Sequence, residues 1–157
     1  MVRELDIDTC LELLATNYVA RMAYVAENGP YMLPVTYLFV KEENICLLCY
    51  SGEGHKIAAL RKNPRVCFLV DDIKTLTNWR SVTVHGVYEE LKGSTAKREL
   101  HRFRQGLKKL INAHTEQPVD VIPDFSMKLD VKDAHPVVYR IYVHEIMGKQ
   151  RRDKGST

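Results

Sequence analysis

The chain has 157 residues, of which 45% are hydrophobic and 27% are charged, and its formal net charge at pH 7 is +3. This length and balance suit a single globular domain over residues 1–157 and exclude disordered and fibrous classes. The first residues are acidic and amphipathic, and no apolar run is long enough to span a membrane, so we expect a cytoplasmic protein without a membrane segment.

The first elements predicted along the chain are a helix and a hairpin. Asp8 or Thr9 caps a short helix over CLELLA. VARMAYVA and YMLPVTYLFV are typical of two strands, and the turn ENGP, residues 27–30, joins them as a hairpin. Pro34 has no N–H to donate, so we expect its strand to lie at a sheet edge or to bulge there.

The next predicted strand, NICLLCY, contains the pair Cys46 and Cys49. Residues three apart on a strand point to opposite faces, so these two thiols cannot close on one metal ion or on each other. The sequence also lacks a second ligand pair of suitable spacing. We therefore expect no metal site and assign both thiols to apolar packing. The four cysteines of the chain are too few for a disulfide scaffold, which agrees with a reducing compartment.

A glycine-rich turn, GEGHK, follows this strand and precedes the helix IAALRK, which Asn63-Pro64 ends. The N-terminus of a helix presents unpaired N–H groups, and Gly52 and Gly54 allow a bound group to approach the backbone. Ser51, His55 and Lys56 add a hydroxyl, an imidazole and a positive charge, a combination that suits a phosphate monoester. Glycine-rich turns before helices are common, so an ordinary turn is the alternative.

The second half of the chain predicts two further strands around a basic helix. RVCFLVDD and RSVTVHGVYEEL are strands, and Gly86 marks a bulge in the second. The segment 94–110 is an amphipathic helix capped by Ser94 or Thr95, with basic residues outside its apolar face. A solvated face explains these charges better than nucleic-acid binding, because exposed aromatic residues are not interleaved among them. Residues 112–136 are mainly loop, PVVYRIYVHEI is the last strand, and residues 151–157 form a frayed tail.

Six strands with inserted helices, most of them joined by short turns, predict a mainly antiparallel sheet closed into a small barrel. The turns are too short for parallel crossovers. No repeat or linker indicates a second domain. The fold class is therefore mainly β with flanking helices.

The segment YSGEGHKIAALRKNPRVCFLVDD, preceded by NGPYMLPVTYLFV and followed by WRSVTVHGVYEEL, resembles the pyridoxamine 5'-phosphate oxidase-like flavin-binding split-barrel proteins. Within that superfamily it is most similar to the nitroimidazole-resistance (Nim) type, whose pattern has a glycine-histidine-lysine step, a helix and an asparagine-proline pair. VYRIYVHEIMGKQR resembles the last strand of the family. The resemblance covers roughly residues 17–91 and this final segment, and leaves 92–136 unmatched.

The resemblance implies a six-stranded antiparallel split β-barrel with Greek-key connections, forming a homodimer with FMN at the subunit interface. Its cofactor-binding residues fall in three segments. Those near the phosphate and ribityl chain are Tyr50, Ser51, Gly54, His55 and Lys56. Those along the isoalloxazine ring are Pro34, Val35, Thr36 and Tyr37, and those that close the site are Trp79, Arg80 and Ser81. In the Nim type the histidine of this step lies near the flavin, which makes His55 the candidate catalytic residue.

The function expected from this resemblance is an FMN-dependent oxidoreductase that passes electrons from a nicotinamide cofactor to a small acceptor. Two alternatives remain open at this point. One is a flavin or haem carrier or sensor without turnover, with His85 as a candidate haem ligand, and the other is pyridoxamine 5'-phosphate oxidation. A nucleic-acid-binding barrel is disfavoured.

Overall fold

The computed structural model of the chain describes residues 1–114 and 136–153. In chain order, the elements are β1 (Val2–Glu4), α1 (Ile7–Thr16), β2 (Val19–Ala26), β3 (Gly29–Thr36), β4 (Leu38–Lys41), β5 (Ile45–Ser51), α2 (His55–Lys62), β6 (Arg65–Thr75), β7 (Asn78–Leu91), α3 (Gly93–His114) and β8 (Val137–Arg152). All strand pairs between them are antiparallel. The mainly β, antiparallel fold class is therefore confirmed.

The described strands form one sheet of eight, in the order β3-β2-β6-β7-β8-β5-β4, with β1 paired to the end of β8. Six strands were predicted, and the difference has two causes. β1 was missed, and the predicted strand YMLPVTYLFV is divided at Tyr37. The backbone N–H of Tyr37 donates to the Tyr18 carbonyl at 2.9 Å instead of continuing the ladder. Pro34 lies on β3 at one edge of this sheet, as predicted.

The β2–β3 hairpin turns through Glu27 and Asn28. Gly29 follows with a φ of 113°, a conformation that residues with a Cβ rarely adopt. The closing pair is Ala26 with Gly29, and the register then runs without interruption to the pair of Val19 with Thr36. The predicted hairpin is confirmed.

The bulge predicted at Gly86 is also present, as a register shift between His85 and Gly86 where β7 pairs with β8. A Cβ on Gly86 would collide with the Tyr142 carbonyl oxygen and with the Ile141 side chain. Glycine is therefore required here by the close approach of the neighbouring strand.

The apolar residues form two clusters on opposite faces of the sheet. The larger lies under α1 and α2 and contains Cys49 and Leu47, while the smaller lies between the sheet and α3 and contains Cys46 and Leu48. Alternate residues of β5 thus enter different clusters, which confirms that Cys46 and Cys49 point apart. Both thiols are free and buried.

Several predicted helix and strand ends were wrong. Asp6, not Asp8 or Thr9, caps α1, and its carboxylate accepts from the Thr9 N–H at 2.7 Å. The third helix begins at Gly93, so Ser94 and Thr95 lie inside its first turn.

The predicted loop 112–136 is helical as far as residue 114, and 115–135 lie outside the described residues. β8 continues through Arg152, so residues 151 and 152 belong to a strand and not to the predicted frayed tail; residues 154–157 are outside the described part. β1 pairs with β8 up to Arg151, and the N-terminal ammonium binds Asp153 at 3.1 Å.

The helices in the described part of the chain include none with the length and apolar character needed to cross a membrane.

Candidate functional site

The GEGHK turn lies where it was predicted, between the end of β5 and the start of α2. β5 ends at Ser51 and α2 begins at His55, with Gly54 in the N-cap position. Glycine has no side chain to accept from the first N–H groups of the helix, and the cap makes no side-chain hydrogen bond. The first turn of α2 therefore presents N–H donors and the positive end of its dipole to a ligand.

The two glycines of this turn leave open space above the backbone. A Cβ placed on Gly52 or on Gly54 would meet no atom within 4 Å. Neither residue is in the left-handed region, and the φ of 170° at Gly54 is extended backbone, so backbone strain does not explain the glycines. Their effect is to leave room beside the helix start, which fits close approach of a phosphate.

Lys56 provides the charge for such a group. It is half-buried in the first turn of α2, and burial lowers the pKa of its ammonium, with the nearby Cys49 thiol acting in the opposite direction. Among residues 1–114 and 136–153, no carboxylate lies within ion-pair distance of this ammonium. A half-buried cation without a carboxylate partner is costly, and an anionic ligand would offset that cost.

The other predicted residues of this turn contribute less directly. The Ser51 hydroxyl donates to the Gly52 carbonyl at 3.0 Å, so it must rotate before it can donate to a ligand. Tyr50 is partly buried against the α3 cluster. His55 is exposed at the first position of α2.

The segment predicted to follow the isoalloxazine ring is partly inside the core. Tyr37 is fully buried, its hydroxyl donates to the Leu14 carbonyl at 2.7 Å, and its ring packs edge-on against Phe68. Val35 is also buried, whereas Pro34 is exposed and Thr36 is partly exposed. Only Pro34, Thr36 and the backbone of this segment can contact a ligand.

The third predicted segment does not reach the GEGHK turn within one chain. Arg61 of α2 is bound to Glu90, near the end of β7, with Nη2 2.7 Å from Oε1. The same guanidinium binds Glu53 in the GEGHK turn, also at 2.7 Å. Arg80 is ten residues before Glu90 on β7, which is roughly 33 Å of extended strand. Trp79, Arg80 and Ser81 thus lie at the opposite end of β7 from the turn.

At that far end, Arg80 belongs to a cationic cleft of about 250 Å³. Its Nε lies 3.5 Å from Asp72 Oδ2, and Trp79 pairs with Ile73 and Arg151 on the neighbouring strands. Lys74, Arg151 and Arg152 line the same cleft. This second group of residues is positively charged and is separate from the helix start.

Sequence reasoning missed two residues beside His55. The Tyr24 hydroxyl and His55 Nδ1 share a hydrogen bond of 2.8 Å, and the Tyr31 ring meets the imidazole edge-on with centroids 4.9 Å apart. Tyr24 and Tyr31 are a cross-strand pair and stack at 5.6 Å. The two-residue turn of the hairpin predicts this pairing, but nothing local in the sequence links it to a residue 31 positions further on.

Comparisons with known proteins place this architecture and turn in a family. The family model described as pyridoxamine 5'-phosphate oxidase matches residues 6–150. The chain therefore belongs to the pyridoxamine 5'-phosphate oxidase family, and the resemblance inferred from the sequence is confirmed.

Individual proteins are similar to the chain in sequence or in fold. The uncharacterised protein RA0666 of Rhizobium meliloti strain 1021 is 33% identical over 90 residues, a match that covers 57% of this chain and 58% of that protein. The crystal structure of a FAD-binding protein from Mesorhizobium loti is similar with a TM-score of 0.74 and 26% identity over 98% of both chains. A candidate 5-nitroimidazole antibiotic resistance protein from Bacteroides thetaiotaomicron has the same fold, with a TM-score of 0.62 and 17% identity over 98% of this chain and 92% of that one.

Proposed function

We propose that the chain is a flavin-dependent oxidoreductase that holds the flavin phosphate at the start of α2. The observation that carries this proposal is Lys56, a half-buried cation at a helix N-terminus that lacks a carboxylate partner in the described part of the chain. Family membership supports it, as does the flavin named for the Mesorhizobium loti relative. A bound flavin would supply hydride or single-electron transfer.

The residues of the chain would bind and orient this cofactor. Lys56 and the N–H groups of the first helical turn bind the phosphate, and the open space over Gly52 and Gly54 admits it. Pro34 and Thr36, on the exposed side of β3, contact the ring. His55 lies at the first position of α2 with Nδ1 engaged by Tyr24, which fixes the plane of its imidazole.

The finer proposal is that the flavin is FMN and that two copies of the chain build each site. The sequence contains no dinucleotide fingerprint, which favours a single phosphate over the pyrophosphate of FAD. The distance between Lys56 and Arg80 favours a homodimer, because the cationic cleft of a second copy can reach the same flavin that the GEGHK turn of the first copy holds.

A nicotinamide cofactor is the proposed electron donor, and a small molecule is the proposed acceptor. Nim-like reduction is the specific form of this activity that the glycine-histidine-lysine step favours. A flavin carrier without turnover would use the same phosphate contacts, so kinetics are needed to distinguish the two functions.

The test is to purify the protein, record its absorption spectrum with and without added FMN, denature it and separate the released flavin by chromatography. Oxidised-flavin bands and released FMN are expected. Released FAD would overturn the assignment to FMN, and failure to bind either flavin at micromolar concentration would overturn the flavin site. Steady-state oxidation of NADH or NADPH in the presence of an acceptor then tests turnover.

A further inference from the structure

A cavity of about 420 Å³ lies between the β2–β3 hairpin and α2, beside the predicted phosphate site but separate from Lys56. Its volume is in the range of small-molecule sites, roughly 300–1,000 Å³. Tyr31 forms the aromatic wall on the hairpin side, His55, Ala58 and Ala59 share one face of α2 and form the other side, and Glu27 and Lys62 lie at the rim. The cavity is therefore apolar and aromatic inside, with charges at its mouth.

The aromatic wall is held in place by its neighbours. Tyr24 is buried, stacks on Tyr31 with an interplanar angle of 15°, and shares its hydroxyl with His55 Nδ1. Tyr31 is 37% exposed, so part of its ring is open to a ligand. When Tyr24 donates to Nδ1, the proton of neutral His55 lies on Nε2 and remains available for a second hydrogen bond.

These walls define the chemistry of an occupant. Flat rings stack on tyrosine, and the small methyl groups of Ala58 and Ala59 on the helix side leave room for such a ring beside His55. A polar substituent on such a ring can accept from His55 or from Lys62, whose ammonium is 3.9 Å from the exposed Glu27 carboxylate. That exposed ion pair contributes little stability and can open at little cost.

We propose that this cavity, defined by Tyr31, His55 and Ala58, binds a small planar aromatic molecule through stacking on Tyr31. The assignment of that molecule as the electron acceptor rests on the proposed function, because His55 is the residue shared by the cavity and the flavin-binding turn. Tyr31 is then a residue that determines acceptor specificity.

The probe is menadione, a two-ring quinone, titrated into the purified protein and followed by ligand-observed NMR, with flavin affinity measured separately by fluorescence. Tyr31→Ala should weaken menadione binding about five- to tenfold, since aromatic pairs contribute that much beyond simple burial. Tyr31→Phe should retain binding within about twofold, because the stacking face is kept. Ala58→Phe should weaken binding at least as much as Tyr31→Ala by filling the cavity.

Met32→Ala is the matched control, since Met32 neighbours Tyr31 on β3, is 68% exposed and does not line the cavity. All four variants should keep wild-type flavin affinity. Equal menadione affinity in wild type, Tyr31→Ala and Ala58→Phe would overturn the proposal. Parallel loss of flavin affinity in Tyr31→Ala and Ala58→Phe would also overturn it, because the cavity would then be part of the flavin site. A protein that binds menadione in a Tyr31-dependent way but binds no flavin would support the cavity and refute the proposed function.

Discussion

Arg61 on α2 and Glu90 on β7 form an ion pair with Nη2 and Oε1 2.7 Å apart, and Glu90 also accepts from the Tyr88 hydroxyl at 2.9 Å. Because Arg61 binds Glu53 as well, the GEGHK turn is fastened to one end of β7. Arg80 stands at the other end. The two cationic parts of the predicted site are thus kept apart by the length of a strand within each chain.

This separation predicts complementation between two defective variants. Lys56→Ala damages the helix-start half of the site and Arg80→Ala damages the cleft half, so each homodimer should bind flavin poorly. When the two variants are unfolded together and refolded at equal amounts, about a quarter of all sites should combine two intact halves, as symmetric random pairing requires. Flavin fluorescence titration counts these sites. No recovery in the mixture, together with a monomeric mass by light scattering, would refute the shared site.

Lys56→Ala by itself should weaken FMN binding about tenfold to a hundredfold. The reason is that a charge-assisted contact to phosphate contributes about 1.5–3 kcal/mol. Lys97→Ala is the control, because Lys97 is an exposed lysine near the start of α3 that makes no ion pair with any described residue. Fluorescence titration compares the three proteins, and indistinguishable dissociation constants would remove Lys56 from the site.

Gly86→Ala should destabilise the fold by about 2–3 kcal/mol, the cost of forcing extra atoms into a packed site. The added methyl group would collide with the Tyr142 carbonyl, which belongs to a neighbouring strand and cannot rotate away. Gly52→Ala is the matched control, since a Cβ there meets open space. Urea denaturation of the flavin-free proteins measures both changes, and a fall in stability of similar size in the two variants would contradict the explanation.

Stability should fall as pH rises above about 9, because buried acids in the core resist ionisation. Burial raises the pKa of the Cys49 thiol to about 12 and raises the pKa of the Tyr37 and Tyr139 hydroxyls above their usual value. A group whose pKa is raised on folding contributes its full stabilisation of the folded state at pH values below its unfolded-state pKa. This contribution is lost as the pH rises towards the folded-state pKa. The pKa of Lys56 is lowered on folding, so this residue makes the folded state more stable as pH rises. It is one group against the three buried acids named above.

Tyr139→Phe tests this explanation of the loss of stability at alkaline pH. The Tyr139 hydroxyl is buried and makes no hydrogen bond of good geometry within the described part of the chain. Its removal should therefore leave stability at pH 7 unchanged or raise it by about 1 kcal/mol, and should reduce the loss between pH 9 and 10.5. Thermal melts across this range provide the measurement. An alkaline loss in Tyr139→Phe as large as in wild type would show that the hydroxyl is not a source of the effect.

Much of the fold was predictable because short sequence patterns determine it. Three local features were located correctly: the alternation of β5 side chains between the two faces of the sheet, the two glycines before α2, and the end of α2 at Asn63-Pro64. Each depends on only a few neighbouring residues. β1 was missed because all three of its residues are exposed, so it has no apolar pattern to detect. Tyr37 leaves the strand because of hydrogen bonds to Tyr18 and Leu14, which are contacts between separate elements.

The candidate site was predictable in its residue types but not in its spatial arrangement. The phosphate-binding character of Lys56 follows from charge and position at a helix start. The burial of Tyr37 and the contact of Tyr24 with His55 depend on how the hairpin packs against α2, which no short segment encodes. The distance from Lys56 to Arg80 depends on the full length of β7, whose start and end were predicted within a few residues but whose orientation relative to α2 was not.

The prolines of β3 have a consequence for solubility. Counting from the closing pair of Ala26 with Gly29, the pairs of Val25 with Pro30 and of Arg21 with Pro34 fall at alternate positions, where backbone groups point away from β2. β3 is an edge of the sheet in the described part of the chain, and both prolines lack the N–H that an incoming strand needs. An incoming strand therefore cannot form a continuous backbone ladder along β3, so copies of the chain that meet at this edge must make contact mainly through side chains.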